Sequence, residues 1–248
     1  MAHIAQEPQI LDWRERLTAW REQILDLFFP PRCVNCKRVG ANLCADCFAQ
    51  IVFVTPPWCE RCGRRVNVGN TCSSCASQPL QIDAIRAVGY HEGALREAIH
   101  ALKYNHRPAL AQPLGTLLSN WVHEHHWQVD YVIPVPLHRD RERERGYNQA
   151  ELIARVVSTT GQIPFTNALE RTQATQDQIG SDRAARRKNV KDAFRVIDID
   201  VQGKTVLIVD DVTTTGATLE ACANALYQVG VPCVLGLAVS RPHWDKPS

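Results

Sequence analysis

Val206–Thr218 reads VLIVDDVTTTGAT: four apolar residues, two adjacent acids and a hydroxyl-rich turn that contains a glycine. A continuous apolar run of this length is typical of a strand that is buried on both faces of a parallel sheet. Such a strand requires helices on each side, because both of its faces must be covered. The stretch therefore predicts an α/β fold with a twisted, mainly parallel sheet flanked by helices.

The residues after this strand have the donors and acceptors of a sugar-phosphate site. The loop and the N-terminus of the next helix present unpaired N–H groups, and threonine hydroxyls add donors for an anion of phosphate size. Asp210 and Asp211 can accept from vicinal hydroxyls or hold a hydrated Mg²⁺ ion, and Gly216 permits close backbone approach. The alternative is that the acids only cap the next helix. The candidate phosphate-binding residues are Thr213, Thr214, Thr215, Gly216, Ala217 and Thr218.

Composition and charge exclude few classes of protein. The 248 residues are 45% hydrophobic, which is enough for a substantial core in one or two domains. The formal net charge of +2 is too small to indicate nucleic-acid binding by itself. The N-terminal residues lack the apolar stretch of a secretion signal, and no segment approaches the roughly 18 apolar residues of a membrane span. These features predict a cytoplasmic protein without stable membrane insertion.

Eight of the ten cysteines form four CxxC pairs. Two such turns can direct four thiolates at one ion and complete a closed, tetrahedral zinc site. We therefore expect two structural Zn²⁺ ions in a double zinc ribbon over residues 31–78. Sequential pairing of neighbouring CxxC turns is the simpler arrangement, and interleaved pairing is the alternative. Redox-active thiols are a third interpretation. The expected ligands are Cys33, Cys36, Cys44, Cys47, Cys59, Cys62, Cys72 and Cys75.

Apolar residues recur at spacings of four and three close to the N-terminus. This periodicity predicts an amphipathic helix within residues 1–30, which ends before Pro30 and Pro31. We expect its apolar face to pack on the rest of the protein, and a surface for a partner or a membrane is the alternative. The apolar positions are Trp13, Leu17, Trp20, Ile24 and Leu27.

The middle of the chain continues the α/β pattern. We predict a strand over residues 83–92, a helix over 93–104 and a second helix over about 110–124. Residues 130–137 begin as a strand, which Pro134 ends, so that a rigid loop follows.

Two charged segments follow. Residues 139–145 hold four arginines and three acids, which favours either a solvated face or arginine contacts with phosphate oxygens. Residues 171–195 hold seven basic and three acidic residues. They predict a mobile segment that closes over a polyanion, or an exposed loop that contacts nucleic-acid phosphates.

VLIVDDVTTTGAT resembles the phosphoribosyl pyrophosphate (PRPP) signature of type I phosphoribosyltransferases, in which hydrophobic residues precede two acids and a phosphate loop. Together with other segments it resembles the GntX-like ComF family of competence and DNA-utilisation proteins. The resemblance runs from about Phe28 to Arg241. The other segments are the four CxxC pairs, LKYNHRPALAQPLG, IPVPLHRDRERERGYNQAELIA and TQATQDQIGSDRAARRKNVKDAF.

The resemblance implies a phosphoribosyltransferase domain over residues 82–248 that binds PRPP with Mg²⁺. In such a domain Asp210 and Asp211 are the catalytic acids that contact the ribose hydroxyls, and residues 213–218 hold the 5′-phosphate. Pyrophosphate is then displaced by an acceptor that the sequence does not identify. The resemblance implies that the loop after Pro134 and a flexible loop hold the pyrophosphate. Their residues are Pro136, Arg139, Arg171, Arg183, Arg186 and Arg187.

The resemblance also implies a role in DNA uptake during natural transformation, or in DNA utilisation. One interpretation is a transferase, and the alternative is a non-catalytic module that senses PRPP. The alternative module contacts single-stranded DNA or a helicase-like partner of DNA uptake.

Overall fold

The computed structural model of the protein describes residues 30–172 and 193–243. The amphipathic helix predicted within residues 1–30 lies, apart from Pro30, outside these residues. The predicted loop residues Arg183, Arg186 and Arg187 also lie outside them. Within the two described ranges, every helix is too short or too polar to cross a membrane.

The elements follow each other in the order expected of an α/β protein preceded by a small module. The helices are α1 (Ala45–Phe48), α2 (Ser73–Ser77), α3 (Gly93–Tyr104), α4 (Ala111–Glu124), α5 (Arg139–Arg145), α6 (Gln149–Gly161) and α7 (Ala217–Gln228), with a 3₁₀ turn at Pro108–Leu110. The strands are β1 (Ala84–Tyr90), β2 (Tyr131–Pro134), β3 (Leu169–Arg171), β4 (Phe194–Val196), β5 (Thr205–Val212) and β6 (Cys233–Arg241). The helices predicted over residues 93–104 and about 110–124 are confirmed.

Four strands form one parallel sheet in the order β1-β6-β5-β2. The central position of β5 confirms that VLIVDDV is an inner strand. Its register places Leu207 beside Leu235 of β6 and Ile133 of β2 beside Ile208. The predicted α/β fold with a parallel sheet is therefore confirmed.

The apolar run of β5 contributes to a core on each face of the sheet. Val206 and Ile208 pack with side chains of α7, whereas Leu207 and Val209 pack with side chains of α3, α4 and α6. All four residues are 0% exposed. Because alternate side chains of a strand point to opposite faces, a continuous apolar run is what a strand covered on both faces requires.

The charged helix α5 and the β3–β4 pair lie outside the main sheet. No residue of α5 is buried, and Gly146 ends this helix in the left-handed region with φ +85°. Asn148 then caps α6, because its side chain accepts from the Ala150 N–H at 3.0 Å. β3 and β4 form a separate antiparallel pair, which borders residues 173–192.

The cysteine-rich module covers the free edge of β1. Val54 N–H donates to Val88 O at 2.9 Å, and Tyr90 N–H donates to Val52 O at 2.8 Å. Further along the strand, Ile85 N–H donates to the carbonyl of Arg61 at 2.6 Å. An exposed sheet edge invites pairing with other chains, so this cover stabilises the sheet and also protects it.

The second half of the module is part of the main core. The cysteines 59, 62, 72 and 75 pack in one cluster with Leu80, Ile82 and Ile85, beside the residues that α7 buries. The first half makes a smaller cluster of Cys33, Cys47 and Ala94 at the start of α3. The two halves are therefore attached to different parts of the sheet domain.

Candidate functional site

The predicted acids lie where the parallel strands end together. The register of β5 places Asp210 beside Ala238 and Val212 beside Ser240 of β6. Thr213 continues this contact, because its N–H donates to Ser240 O at 2.9 Å. Open α/β sheets bind ligands at the carboxyl ends of their strands. The acids and the threonine loop are therefore at the edge where a ligand is expected.

Asp210 and Asp211 are both buried, with exposed fractions of 8% and 3%. The Asp211 N–H donates to Asp210 Oδ1 at 2.8 Å. The ammonium group of Lys103 forms an ion pair with Asp211 Oδ2. Since a buried charge is costly unless it is paired, Lys103 supplies the counter-charge that Asp211 needs.

Asp210 has an unusual protonation equilibrium. Burial raises the pKa of Asp210 from its ordinary value of 3.8 to about 7, and the charges of Lys103 and Arg171 oppose this rise. Removal of a carboxylate from water disfavours its charged form. At neutral pH the protonated and ionised forms of Asp210 are therefore both populated, so a bound cation or donor hydroxyls would favour loss of the proton.

Asp210→Asn should remove a pH dependence from the stability of the unliganded protein. Because the pKa of Asp210 is raised on folding, its contribution to stability is full below about pH 4 and is lost as the pH rises through about 7. The loss amounts to up to about 4 kcal/mol. Thermal unfolding across this range should show a falling melting temperature in the wild type and a flatter profile in the variant. Asp200→Asn, which changes an exposed acid, is the control, and parallel profiles for wild type and Asp210→Asn would contradict the prediction.

The predicted phosphate-binding residues are contiguous at the turn between β5 and α7. Gly216 is in the left-handed region with φ +82°, and a Cβ atom there would lie 2.6 Å from Ile85 Cδ1. Thr215 Oγ1 accepts from the Ala217 N–H at 3.4 Å. Thr213 is 4% exposed, whereas Thr214, Thr215 and Thr218 are partly exposed. The turn therefore needs glycine for both its conformation and its packing, and it leaves three threonines accessible.

The residues predicted to hold pyrophosphate are brought together in part. Pro136, Arg139 and Arg171 line one cleft. Arg139 is 81% exposed, and its Nη2 lies 4.0 Å from Glu170 Oε2. Arg171 ends β3 and is close enough to Asp210 to lower the pKa of that acid. The cleft therefore combines Arg139 and Arg171 with Glu170. It is lined by residues of β2 and β3 and lies on the side from which Arg171 approaches Asp210.

Lys103 was not predicted as a site residue. It lines a cavity of about 370 Å³ together with Tyr104, His106, Arg141, Glu144 and Arg145. Three cations of this cavity, Lys103, Arg141 and Arg145, come from α3 and α5. The sequence signal was weak, since a lysine in the last turn of an amphipathic helix is usually solvated and stabilises the helix C-terminus. Only the fold shows that this lysine reaches Asp211 of β5.

The cysteines form two clusters with sequential pairing. In each cluster the four Sγ atoms lie within 4.8 Å of one another. Cys36 Sγ lies 3.6 Å from Cys44 Sγ, and Cys62 Sγ lies 3.6 Å from Cys72 Sγ. Tetrahedral zinc with Zn–S bonds of about 2.3 Å requires sulfur atoms about 3.8 Å apart. The residues present therefore fit two zinc ions and exclude the interleaved pairing. The first cluster is Cys33, Cys36, Cys44 and Cys47, and the second is Cys59, Cys62, Cys72 and Cys75.

Comparisons with known proteins agree with this arrangement. The model of the double zinc ribbon domain matches residues 24–76, and the model of the phosphoribosyl transferase domain matches residues 143–248. Competence protein F from Haemophilus influenzae is 32% identical over 217 residues, which cover 82% of this chain and 94% of the relative. The chain belongs to the ComF family.

Other members of the ComF family are also similar over most of the chain. DNA utilization protein YhgH from Escherichia coli K12 is 31% identical over 219 residues, with 84% of this chain and 96% of the relative covered. Competence protein ComFC from Bacillus subtilis is 24% identical over 196 residues, with 76% and 79% covered. This ComF protein therefore combines a double zinc ribbon with a phosphoribosyltransferase fold, as the sequence motifs predicted.

Proposed function

We propose that this ComF protein binds Mg²⁺-PRPP at Asp210–Thr218 and acts in DNA uptake or DNA utilisation. One observation carries the ligand: two buried, adjacent acids and a threonine loop share one sheet edge, directly before α7. The names of the relatives, competence protein and DNA utilization protein, support the biological process.

In this proposal the 5′-phosphate binds the threonine loop and the N–H groups at the start of α7. The ribose hydroxyls donate to Asp210 and Asp211, so that Asp210 releases its proton when the ligand binds. Lys103 is the counter-charge of Asp211 and also lines the cavity with Arg141 and Arg145. These three cations can therefore hold the pyrophosphate oxygens. Bound Mg²⁺ would supply further charge neutralisation on the pyrophosphate.

The same contacts can stabilise a transfer reaction. Displacement of pyrophosphate develops positive charge at the anomeric carbon and negative charge on the departing oxygen. Hydrogen bonds from the ribose to the two acids strengthen as the positive charge develops, and the cations bind the leaving group. The residues of the site thus fit phosphoribosyl transfer, with an acceptor still to be identified.

The combined variant Asp210→Asn and Asp211→Asn should bind Mg²⁺-PRPP at least about tenfold more weakly than the wild type. Each lost hydrogen bond to a carboxylate contributes about 1.5–3 kcal/mol, and about 1.4 kcal/mol corresponds to a factor of ten. Isothermal titration calorimetry with the zinc-loaded protein checks this. In the wild type the affinity should also rise with pH through about 7, because ionised Asp210 is the binding form. Asp200→Asn is the control, and a wild type that does not bind PRPP would overturn the proposed function.

The alternative function is a PRPP sensor that contacts single-stranded DNA. The exposed arginines of α5 support it. Arg139 and Arg143 have exposed fractions of 81% and 80%, and such side chains can contact nucleic-acid phosphates. Pyrophosphate release separates the two functions. If the protein is a transferase, its incubation with PRPP and a panel of bases, nucleosides and amines should release pyrophosphate. Tight PRPP binding without release would support the sensor. The zinc-ligating cysteines require a reducing environment, which supports a cytoplasmic location for either function.

A further inference from the structure

The second zinc ribbon and the threonine loop form the two sides of one narrow cleft. This contact joins residues that are about 150 positions apart in the chain. The cleft therefore connects a structural metal centre with the candidate phosphate site. Its lining residues are Cys62, Arg64, Ile85, Thr213, Thr214, Thr215, Gly216 and Arg241.

The two ribbons have the same turn but different surroundings. Lys37 N–H donates to Cys33 O at 2.9 Å, and Gly63 N–H donates to Cys59 O at 2.9 Å. Lys37 and Gly63 have φ values of 64° and 65°. Since a lysine occupies this position in the first ribbon, the turn itself does not require glycine. A Cβ atom on Gly63 would lie 2.5 Å from Ile85 O. Glycine is therefore needed in the second ribbon for its close approach to β1.

Ile85 contacts both sides of the cleft, and Arg241 contacts its ribbon side. The side chain of Ile85 packs on Gly216, and its N–H bonds the second ribbon at Arg61 O. Arg241 is 3% exposed, and its Nη1 donates to Cys62 O at 3.0 Å. A rigid, buried contact of this kind transmits the position of the ribbon turn to the threonine loop.

Arg64 and its counterpart in the first ribbon differ in orientation. Cys33 N–H donates to Arg38 O at 2.8 Å and Cys59 N–H donates to Arg64 O at 2.7 Å, so the two arginines occupy equivalent positions. Arg38 is 66% exposed and pairs with Asp46. Arg64 instead lines the cleft, and its Nη1 donates to Ser74 Oγ of α2 at 3.2 Å. The second ribbon therefore holds its arginine beside the threonine loop.

The cleft itself has room for about one water, about 10 Å³, but the chemistry of its lining suits an anion bound at its opening. Its lining combines two guanidinium groups with three threonines, and no acidic residue contributes to it among the residues that the structure describes. A guanidinium matches phosphate geometry, and threonine hydroxyls and loop N–H groups add donors.

We propose that Arg64, held by the second zinc ribbon, binds the phosphate group at the threonine loop together with Arg241. The second ribbon is then part of the phosphate site, whereas the first ribbon is not. This inference rests on the proposed function, because its ligand is the 5′-phosphate of PRPP. The competing explanation is that both arginines only offset the negative charge of the zinc-thiolate cluster.

Calorimetric titrations of the full-length, zinc-loaded protein with ribose 5-phosphate and with Mg²⁺-pyrophosphate separate these explanations. Arg64→Gln should weaken ribose 5-phosphate binding at least about tenfold, since a charge-assisted hydrogen bond is lost. The same variant should bind Mg²⁺-pyrophosphate as the wild type does, which a general loss of structure would not allow. Arg38→Gln, the matched variant of the first ribbon, should leave both affinities unchanged. Native mass spectrometry should show two zinc ions in each variant.

Unchanged ribose 5-phosphate affinity in Arg64→Gln would overturn this inference, while PRPP binding by the wild type would still support the proposed function. If Arg64→Gln loses zinc, the variant Arg64→Lys is tested in its place. This variant retains the positive charge but lacks the planar guanidinium group. A severalfold weaker affinity for ribose 5-phosphate with two zinc ions then supports the inference, and an unchanged affinity overturns it. A wild type that binds neither ribose 5-phosphate nor PRPP would overturn both proposals.

Discussion

Cys72→Ser should lower the melting temperature of the protein by about 10 °C or more and reduce its zinc content from two ions to one. A structural zinc site stabilises its ligands by far more than a single hydrogen bond does. Cys72 is 7% exposed and packs in the same cluster as Leu80, Ile82 and Ile85. Loss of the second zinc therefore disturbs the core of the sheet domain, and a loss of about 5 kcal/mol corresponds to a shift of this size in a chain of this length.

Cys44→Ser is the matched control for this prediction. Cys44 and Cys72 each precede a short helix, with φ and ψ of −75° and 158° for Cys44 and −77° and 159° for Cys72. Both changes remove the third ligand of a cluster, but Cys44 is partly exposed and lies in the smaller cluster at α3. We expect the fall in melting temperature to be less than half as large for Cys44→Ser. Differential scanning calorimetry with zinc analysis checks this, and equal losses would show that both ribbons support the domain equally.

Lys103→Ala should destabilise the unliganded protein by about 3–5 kcal/mol at neutral pH. The change leaves Asp211, whose side chain is 4% exposed, without its ion-pair partner. Removal of one member of a buried pair costs more than the pair contributes, because the remaining charge stays buried. Urea unfolding measures this loss.

Two further variants separate this effect from other consequences of losing a lysine. Lys103→Ala combined with Asp211→Asn should recover most of the lost stability, since the uncompensated charge is gone. Lys204→Ala, which removes an exposed lysine from the turn before β5, should change stability by less than about 0.5 kcal/mol. If the combined variant is as unstable as Lys103→Ala alone, packing of the lysine side chain, and not the ion pair, explains the loss.

The parts of the fold that were predictable are those with strong local patterns. The apolar run before Asp210 identified a strand buried on both faces, and the 3.6-residue periodicity identified α3 and α4. The CxxC spacing predicted the two four-cysteine clusters, because two thiolates on one tight turn suffice to direct them at one ion. Residues 173–192 carry their predicted arginines outside the described ranges, so their role stays a prediction.

The parts that were not predictable depend on contacts between distant segments. The sequence left sequential and interleaved zinc pairing open, since both satisfy the same spacing. A lysine in the last turn of a helix is usually solvated, whereas the packing of α3 on the sheet brings the ammonium of Lys103 to Asp211. Arg64 had no distinguishing pattern, because an arginine stands at the same place in both ribbons. Its orientation follows from the docking of one ribbon on β1.

The strand order of the sheet also determines when β1 can be completed during synthesis. In the described residues its only neighbour within the sheet is β6, the last strand of the chain, so the ribosome must first translate as far as Arg241. Its opposite edge pairs with residues 52–54, which emerge from the ribosome before it does. Domains generally fold as units, and the N-terminal domain folds first during synthesis. The cysteine-rich module is thus the first partner of β1. Its backbone hydrogen bonds can keep this strand extended until β6 has been synthesised.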